Sequence, residues 1–418
     1  MSKQQPGVDP GQLANRALLP YIHKQVDFSY HGCRLRFYLS RALFSSFQVD
    51  DGTRLLLKTL AKLVDFDQFT SVLDLGCGAG IIGLSLLKKH PHLQVHCVDR
   101  DALALAFTRE NAYLNGLEGI RCSGQLGLED TSALYDLVVS NIPAKAGAPV
   151  IEDILRRCLR TIAADGLCAV VVISSLAGQV AQLLRSLPVE VRLEEATPRY
   201  TVFHFAGLPG SAEVDVAPDF FQPYIRGRVK HNLEGNFCLA ETVYNLPDFD
   251  TLGFQARAVL KLLQSYPLSG SCLFWNPGQG HVSLYAFFKN TQEPDRHFTL
   301  GGRDLLPLYI TRRNLHNAGL AAGRLALCHC PLMQDLTGGP YRYVVLEPDI
   351  IPGVPWEKVL WQAAASLLTD GGRVIISLKN SYQHRLLSAA AGFRLIKKTR
   401  HKTCSAMLLE KKAAVTHP

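Results

Sequence analysis

The stretch Val72-Leu73-Asp74-Leu75-Gly76-Cys77-Gly78-Ala79-Gly80 constrains the fold of this 418-residue chain more than any other. An apolar run ends in an acidic residue, three glycines follow at alternate positions, and an apolar helix starts at once with Ile81, Ile82, Leu84, Leu86 and Leu87. Read as strand, turn and helix, the pattern lets a ligand lie against bare backbone at a helix N-terminus. Glycine lacks the Cβ that would hold it off.

Two further strand ends follow. Leu93-Gln94-Val95-His96-Cys97-Val98-Asp99 closes on a carboxylate, the position from which an acidic side chain reaches ribose hydroxyls in a dinucleotide-type fold. Tyr135-Asp136-Leu137-Val138-Val139-Ser140-Asn141-Ile142-Pro143 ends in Asn-x-Pro. Glycine loop, acidic strand end and Asn-x-Pro strand end, in that order, resemble class I S-adenosylmethionine-dependent methyltransferases. A nicotinamide-binding fold more often carries Gly-x-Gly-x-x-Gly. The resemblance implies an α/β fold in which Gly76, Gly78 and Gly80 form the turn under S-adenosylmethionine, with Asp74 near its methionine or ribose end. Asp99 would accept hydrogen bonds from the ribose, Arg100 would lie against the adenine, and Gly124, in Cys122-Ser123-Gly124-Gln125, would form the adenine rim. The plainer alternatives are a helix cap for Asp99 and open surface for Arg100.

The chain has room for two to three domains, and 47% hydrophobic with 19% charged residues suits a packed globular product. Eleven cysteines without a Cys-x-x-Cys pair suit a reducing compartment better than disulfides or zinc. Cys328-His329-Cys330 alternates as a strand does, so core packing is expected there and no metal. The start of the chain is polar and no run reaches membrane-spanning length, so a cytoplasmic protein with no membrane partner is expected.

The last two hundred residues repeat the first two hundred. Leu73 to Ile81 lines up with Leu273-Phe274-Trp275-Asn276-Pro277-Gly278-Gln279-Gly280-His281, and Arg100-Asp101 with Arg303-Asp304. Arg109 to Leu117 meets Arg312-Arg313-Asn314-Leu315-His316-Asn317-Ala318-Gly319-Leu320, and Asp165-Gly166 meets Asp370-Gly371. The lead-in Arg36-Phe37-Tyr38-Leu39-Ser40 is set against Asn236-Phe237-Cys238-Leu239-Ala240. Substitution is selective: Asp74 becomes Phe274, Gly76 becomes Asn276, Asp99 becomes Gly302 and Asn141 becomes Glu347. Packing residues persist while ligand-facing ones are gone. Two tandem Rossmann-like domains from an internal duplication are expected, 1–208 catalytic and 209–418 degenerate. Pro, Gly and Ser near Leu208-Pro209-Gly210-Ser211 mark the boundary.

Methyl transfer asks an enzyme mainly for orientation and exclusion of water. Asn141 is the candidate catalytic residue, with Pro143. In methyltransferases acting on planar amide or exocyclic amine nitrogens, the motif is Asn/Asp-Pro-Pro-aromatic, and the Asn oxygen and the next carbonyl accept from the target NH2. Here Asn141-Ile142-Pro143-Ala144 lacks the first proline and the aromatic residue. Lys145 follows and could meet phosphate or stay solvated. The lead-in Phe44-Ser45-Ser46 with Asp51-Gly52-Thr53, before a helix at Leu55, Leu56, Leu57 and Leu60, resembles the small methyltransferase domain of bacterial guanine-N2 ribosomal RNA methyltransferases. That resemblance makes Thr53 a candidate cofactor contact, the alternative being that Asp51 or Thr53 only caps the helix. Those enzymes are themselves duplicated, but with the active copy second; here the first keeps the site.

Charge points the same way. Up to Leu208, 21 Lys and Arg face 20 Asp and Glu; beyond it, 23 face 16. A basic second half favours a polyanion, and Arg226, Arg228, Lys230 and the run Lys397 to Lys402 are its candidate phosphate contacts. The expected activity is S-adenosylmethionine-dependent N-methylation of a guanine amine in ribosomal or transfer RNA. The alternatives are a protein glutamine or small-molecule N-methyltransferase and a non-catalytic RNA-binding scaffold.

Overall fold

The computed structural model describes residues 11, 13–43, 47–130, 132–209, 213–289 and 297–413. Phe44, Ser45 and Ser46 of the lead-in, and residues 210–212 of the expected boundary, lie outside them. The chain divides into two compact units, Met1–Tyr224 and Ile225–Pro418.

The first unit opens with a hairpin, β1 (Lys24–Tyr30) and β2 (Cys33–Leu39), and helix α1 (Asp51–Leu63). Alternation of strand and helix follows: β3 (Ser71–Leu75), α2 (Ile81–Lys89), β4 (Gln94–Asp99), α3 (Ala102–Leu114), β5 (Arg121–Gly124), β6 (Tyr135–Asn141), α4 (Ala148–Thr161) and β7 (Ile162–Ile173). Helix α5 (Ser174–Ser186) and the pair β8 (Val189–Ala196) and β9 (Tyr200–Gly207) complete the sheet. Its order is β5-β4-β3-β6-β7-β9-β8, with β9 antiparallel to both β7 and β8. β4, β3 and β6 are each flanked on both sides by parallel partners, which is why they read as apolar runs, whereas β5 is the sheet edge. Chain order reverses between β3 and β6, so the crevice for a ligand lies beyond the C-terminal ends of those strands.

Asp50 caps α1, accepting from Thr53 N at 3.2 Å, so neither Asp51 nor Thr53 is the cap. A cap of this kind stabilises by about 1 kcal/mol. Leu56, Leu57 and Leu60 turn one face of α1 into the core, each contributing roughly 2 kcal/mol by burial. The chain beyond Leu208 stays with this unit. Arg157 donates to Ala217 O at 3.0 Å, and the Tyr224 ring stacks on Phe221 at 5.8 Å. Tyr224 also holds its hydroxyl against Gly127, where a Cβ would sit 2.4 Å away. The compact unit therefore closes later than the Pro-Gly-Ser stretch suggested.

The second unit begins with the hairpin β10 (Ile225–Leu233) and β11 (Asn236–Val243) and helix α6 (Phe254–Leu263). β12 (Cys272–Trp275), α7 (His281–Lys289), β13 (Phe298–Gly302), α8 (Leu305–Asn317), β14 (Leu325–His329), β15 (Tyr341–Leu346), α9 (Trp356–Leu367) and β16 (Leu368–Lys379) follow. Helix α10 (Gln383–Ser388), β17 (Phe393–His401) and β18 (Cys404–Lys411) end it. The sheet order, β14-β13-β12-β15-β16-β18-β17, repeats that of the first unit strand for strand.

Hydrogen bonds fix the correspondence. Asn111 accepts from Tyr38 N and donates to Tyr38 O and Ala79 O; Asn314 accepts from Glu241 N and donates to Glu241 O and Gln279 O. Tyr38 thus matches Glu241, three residues beyond the Cys238 that the sequence pairing gave it. No helix among the described residues is long and apolar enough to cross a membrane.

Candidate active site

Three strand ends meet at the crevice of the first unit. Gly76 N and Cys77 N both donate to Val98 O, at 2.8 and 3.1 Å, tying the glycine loop to the end of β4. Asp99 then holds the loop from the other side: its carboxylate accepts from Gly78 N and from Asp101 N, both at 2.9 Å. Gly124 pairs with Asp99 across β4 and β5, which sets the Gly124 turn beside the carboxylate. Asp101, not Asp99, caps α3, through Leu103 N.

The glycines serve different ends. Gly76, Gly78 and Gly80 all have φ in the left-handed region, at 72°, 58° and 81°. A Cβ on Gly76 or Gly78 would meet nothing within 4 Å, so both face open space above the loop. A Cβ on Gly80 would strike Thr108 at 2.9 Å. Gly83, which the motif did not single out, has no room either: its Cβ would meet Val95 at 2.9 Å and Asp74 at 3.0 Å. That closeness lets Gly83 N donate to Asp74 at 2.8 Å.

Asp74 lies beneath the loop, fully buried. One oxygen takes the Gly83 N–H while Oδ1 has no hydrogen-bond partner among the described residues. Burial pushes its pKa up to about 7; the Gly83 N–H opposes this, and the nearby Asp99 charge adds to it.

At the end of β6, Asn141 is half-buried and its Nδ2 donates to Asp50 Oδ2 at 2.9 Å and Thr53 Oγ1 at 3.1 Å. The other Asp50 oxygen accepts from the Tyr200 hydroxyl at 2.8 Å. Burial first, and then the Asp50 hydrogen bond, push the Tyr200 hydroxyl up to about 12. Ile142 N donates to Val171 O at 3.0 Å, a bond that proline in its place would lose. Pro143 and Lys145 are exposed on and beside the short turn Ala144–Ala146. Arg100 is half-buried, close enough to Tyr224 for its charge to act on that hydroxyl. Thr53 and Asn141 thus meet, as do Asp99, Gly78 and Gly124. The sequence reading gave Asp50 and Tyr200 no role, and no local spacing could reveal one, since they are far apart along the chain.

The same strand ends in the second unit are filled. Asn276 occupies the Gly76 position at φ 52°, and its Nδ2 donates to Glu347 O at 3.1 Å and Asp349 Oδ2 at 3.0 Å. Its own N donates to Gly301 O at 2.9 Å, as Gly76 N does to Val98 O. A Cβ on Gly302, at the Asp99 position, would lie 3.2 Å from the Asn276 side chain. Phe274 takes the Asp74 position, buried. Glu347, at the Asn141 position, is driven up to about 7, by burial first and then by Asp248.

Arg226, Arg228 and Lys230 share the exposed face of β10. Arg226 pairs with Asp250 at 2.9 Å and Arg228 with the buried Glu241 at 2.8 Å. Lys230 lies 5.0 Å over the exposed Phe237 ring. His329 of the Cys-His-Cys run turns to Arg303 O at 2.8 Å, while the two sulfurs stand 4.0 Å apart.

Residues 34–204 match the methyltransferase small domain, and that stretch of the chain is a domain of this family. A 115-residue segment is 40% identical to ribosomal RNA small subunit methyltransferase C of Shewanella amazonensis, covering 28% of this chain and 32% of that protein. A 105-residue segment is 40% identical to the protein of the same name from Pseudomonas entomophila, covering 25% and 30%. The matched segments span about a third of the length of these relatives. A solved structure, a 16S rRNA N2 methyltransferase of T. thermophilus in complex with AdoMet and guanosine, superposes with a TM-score of 0.65. It covers 94% of this chain and 99% of that one at 18% identity, a likeness of fold.

Proposed function

We propose that the first unit is an S-adenosylmethionine-dependent N-methyltransferase acting on the exocyclic amine of a guanine in RNA. In this reading the second unit descends from a duplication and has lost the cofactor site. The observation that carries it is the open cradle over Gly76 and Gly78, walled by Asp99 and adjoining Asn141, against the Asn276 side chain that occupies the matching place in the second unit. The names of the relatives, all ribosomal RNA methyltransferases, and the basic excess after Leu208 support RNA as the substrate.

When bound, the cofactor supplies a methyl group already activated on a sulfonium. The chain's part is to hold and orient. Gly76, Gly78 and Gly80 leave bare backbone for it, Asp99 would accept its ribose hydroxyls, and Arg100 and Gly124 would border the adenine. Asp74, with an unpartnered buried oxygen under the loop, suits a cationic group above it. Thr53 borders the same space from α1. Asn141 Oδ1 and the Ile142 carbonyl would accept from the target NH2, with Pro143 fixing the turn. An amine held by two acceptors presents its lone pair without a general base. A paired guanine would first have to leave its stack.

Lys145, Arg226, Arg228 and Lys230 are the proposed phosphate contacts. Arg226 and Arg228 would have to exchange carboxylate partners for phosphate, so Lys230 is the strongest of the β10 group.

Calorimetric titration of S-adenosylmethionine into the full chain tests the reading. One site per chain is expected, weakened by Asp99→Ala and kept by Asn141→Ala, which loses methyl transfer to RNA. Two sites or none, or label appearing in protein rather than RNA, would overturn it. RNA affinity should fall steeply with added salt.

A further inference from the structure

We infer that Asp50 and Tyr200 are positioning residues that set which way the Asn141 amide faces. The inference rests on the proposed role of Asn141 as acceptor for the target amine. An amide can present either its oxygen or its nitrogen on a given side, and the two ends are close to the same shape. A carboxylate resolves the choice, because it only accepts. Asp50 Oδ2 stands 2.9 Å from Asn141, so the group facing it must be the NH2, with Thr53 Oγ1 taking the second N–H at 3.1 Å. Both amide protons are thereby used inside the protein. Oδ1 has no hydrogen bond among the described residues and is the end left for the substrate.

Asp50 is itself held in place. Tyr200, the first residue of β9, donates to Oδ1 at 2.8 Å, while Thr53 N donates to Oδ2 at 3.2 Å from the first turn of α1. Arg199 pairs with Asp51 beside them, clasping the start of α1 to the β8–β9 turn a second time. Gly52 permits the approach: a Cβ there would lie 2.7 Å from the Tyr200 ring and 2.8 Å from Asp50 Oδ2. Antiparallel insertion of β9 beside β7 brings Tyr200 next to Ile173 and within reach of a helix start some 150 positions away in sequence. With this clasp, the target amine meets an oxygen. Without it, an amide turned the other way would present NH2 to NH2, a pairing of donors with no acceptor between them.

Three variants, assayed with tritiated S-adenosylmethionine and unmodified 16S rRNA, test this. Asp50→Ser keeps a helix cap but does not reach Asn141, so kcat should fall on the order of 10–100-fold. Cofactor affinity and thermal midpoint should stay near parent. Asp50→Asn can still turn an oxygen to Asn141 Nδ2 and its own NH2 to the Tyr200 oxygen, and should recover to within about fivefold of parent. Tyr200→Phe should lower kcat severalfold with KM unchanged. If Asp50→Asn is as slow as Asp50→Ser, Asp50 takes a proton itself and the positioning role is wrong. It is wrong too if Asp50→Ser loses cofactor affinity and stability in step with rate, or keeps full rate. Asn141→Ala separates the two readings: full turnover in that variant removes the acceptor role of Asn141 and not merely its orientation.

Discussion

At the first glycine of the loop the first unit carries Gly76 and the second Asn276, and both adopt a left-handed backbone, φ 72° and 52°. The turn is the same, and its first N–H donates to the carbonyl of the equivalent neighbouring-strand residue in each. The change is in what stands above it: open space over Gly76, an amide bonded to Glu347 and Asp349 over the second loop. Asparagine is one of the few side chains that tolerates this backbone region, so the second loop keeps the same turn with a side chain above it. The Gly76 position is thus under two demands, one conformational and one spatial, and Asn276 meets only the conformational one.

Transplanting the difference should have the largest effect. Gly76→Asn puts the second unit's residue into the first unit's loop, and cofactor affinity should fall at least about 100-fold, roughly 2.8 kcal/mol. The unfolding midpoint should change little, since asparagine accepts the φ. Calorimetry with parallel thermal melts checks both. Undiminished affinity would mean that the filled cradle is not what separates the units. The converse, Asn276→Gly, should not create a site, because Gly302 still stands where Asp99 would be needed.

The glycines that serve packing should respond alike in both units. A Cβ on Gly80 meets Thr108 at 2.9 Å and one on Gly280 meets Thr311 at 3.0 Å, each at positive φ. Gly80→Ala and Gly280→Ala should each cost about 1–3 kcal/mol in chemical unfolding. If only the first is costly, the second unit has relaxed its packing as well as its site.

Much of this was legible in the sequence, and the reasons are local. Apolar runs ended by Asp74, Asp99 and Asn141 read as strands, and the alternating glycines as a turn that leaves bare backbone at a helix start; their positive φ values came with the fold. The likeness of the two units in fold was legible because the loop, the Asn111 and Asn314 helices and the capping aspartates Asp101 and Asp304 recur. Register in the lead-in was not. Phe237 resembles Phe37 by letter, yet Phe37 is buried and Phe237 is 63% exposed, and the backbone bonds of Asn314 go to Glu241. The Asp50–Tyr200 clasp was also hidden, because it depends on which strand inserts beside β7. Charge alone gave Arg226 and Arg228 as phosphate contacts; the fold adds the carboxylates of Asp250 and Glu241 beside them.

The last comparison concerns two carboxylates, the buried Asp74 and the half-buried Glu347, each driven up to about 7 chiefly by desolvation. A carboxyl whose pKa is higher folded than unfolded holds a proton that the unfolded chain releases. Its contribution to stability is therefore full at low pH and is lost as pH rises from the unfolded value near 4 towards 7. One such group gives a slope approaching about 1.4 kcal/mol per pH unit within that window. Asp74→Asn and Glu347→Gln should each flatten the pH dependence of the urea midpoint between about 4.5 and 6.5, leaving it unchanged above 7.5. The units should then differ in one respect. If a cationic cofactor sits above Asp74, saturating S-adenosylmethionine draws that carboxyl towards its charged form and shrinks the Asp74 share of the slope, while the Glu347 share stays as it was. An Asp74 share that does not respond would mean that the buried acid under the first loop does not sense the ligand, and an equal response of both shares would mean that the ligand acts on the two units alike, so that this acid is no part of the difference between them.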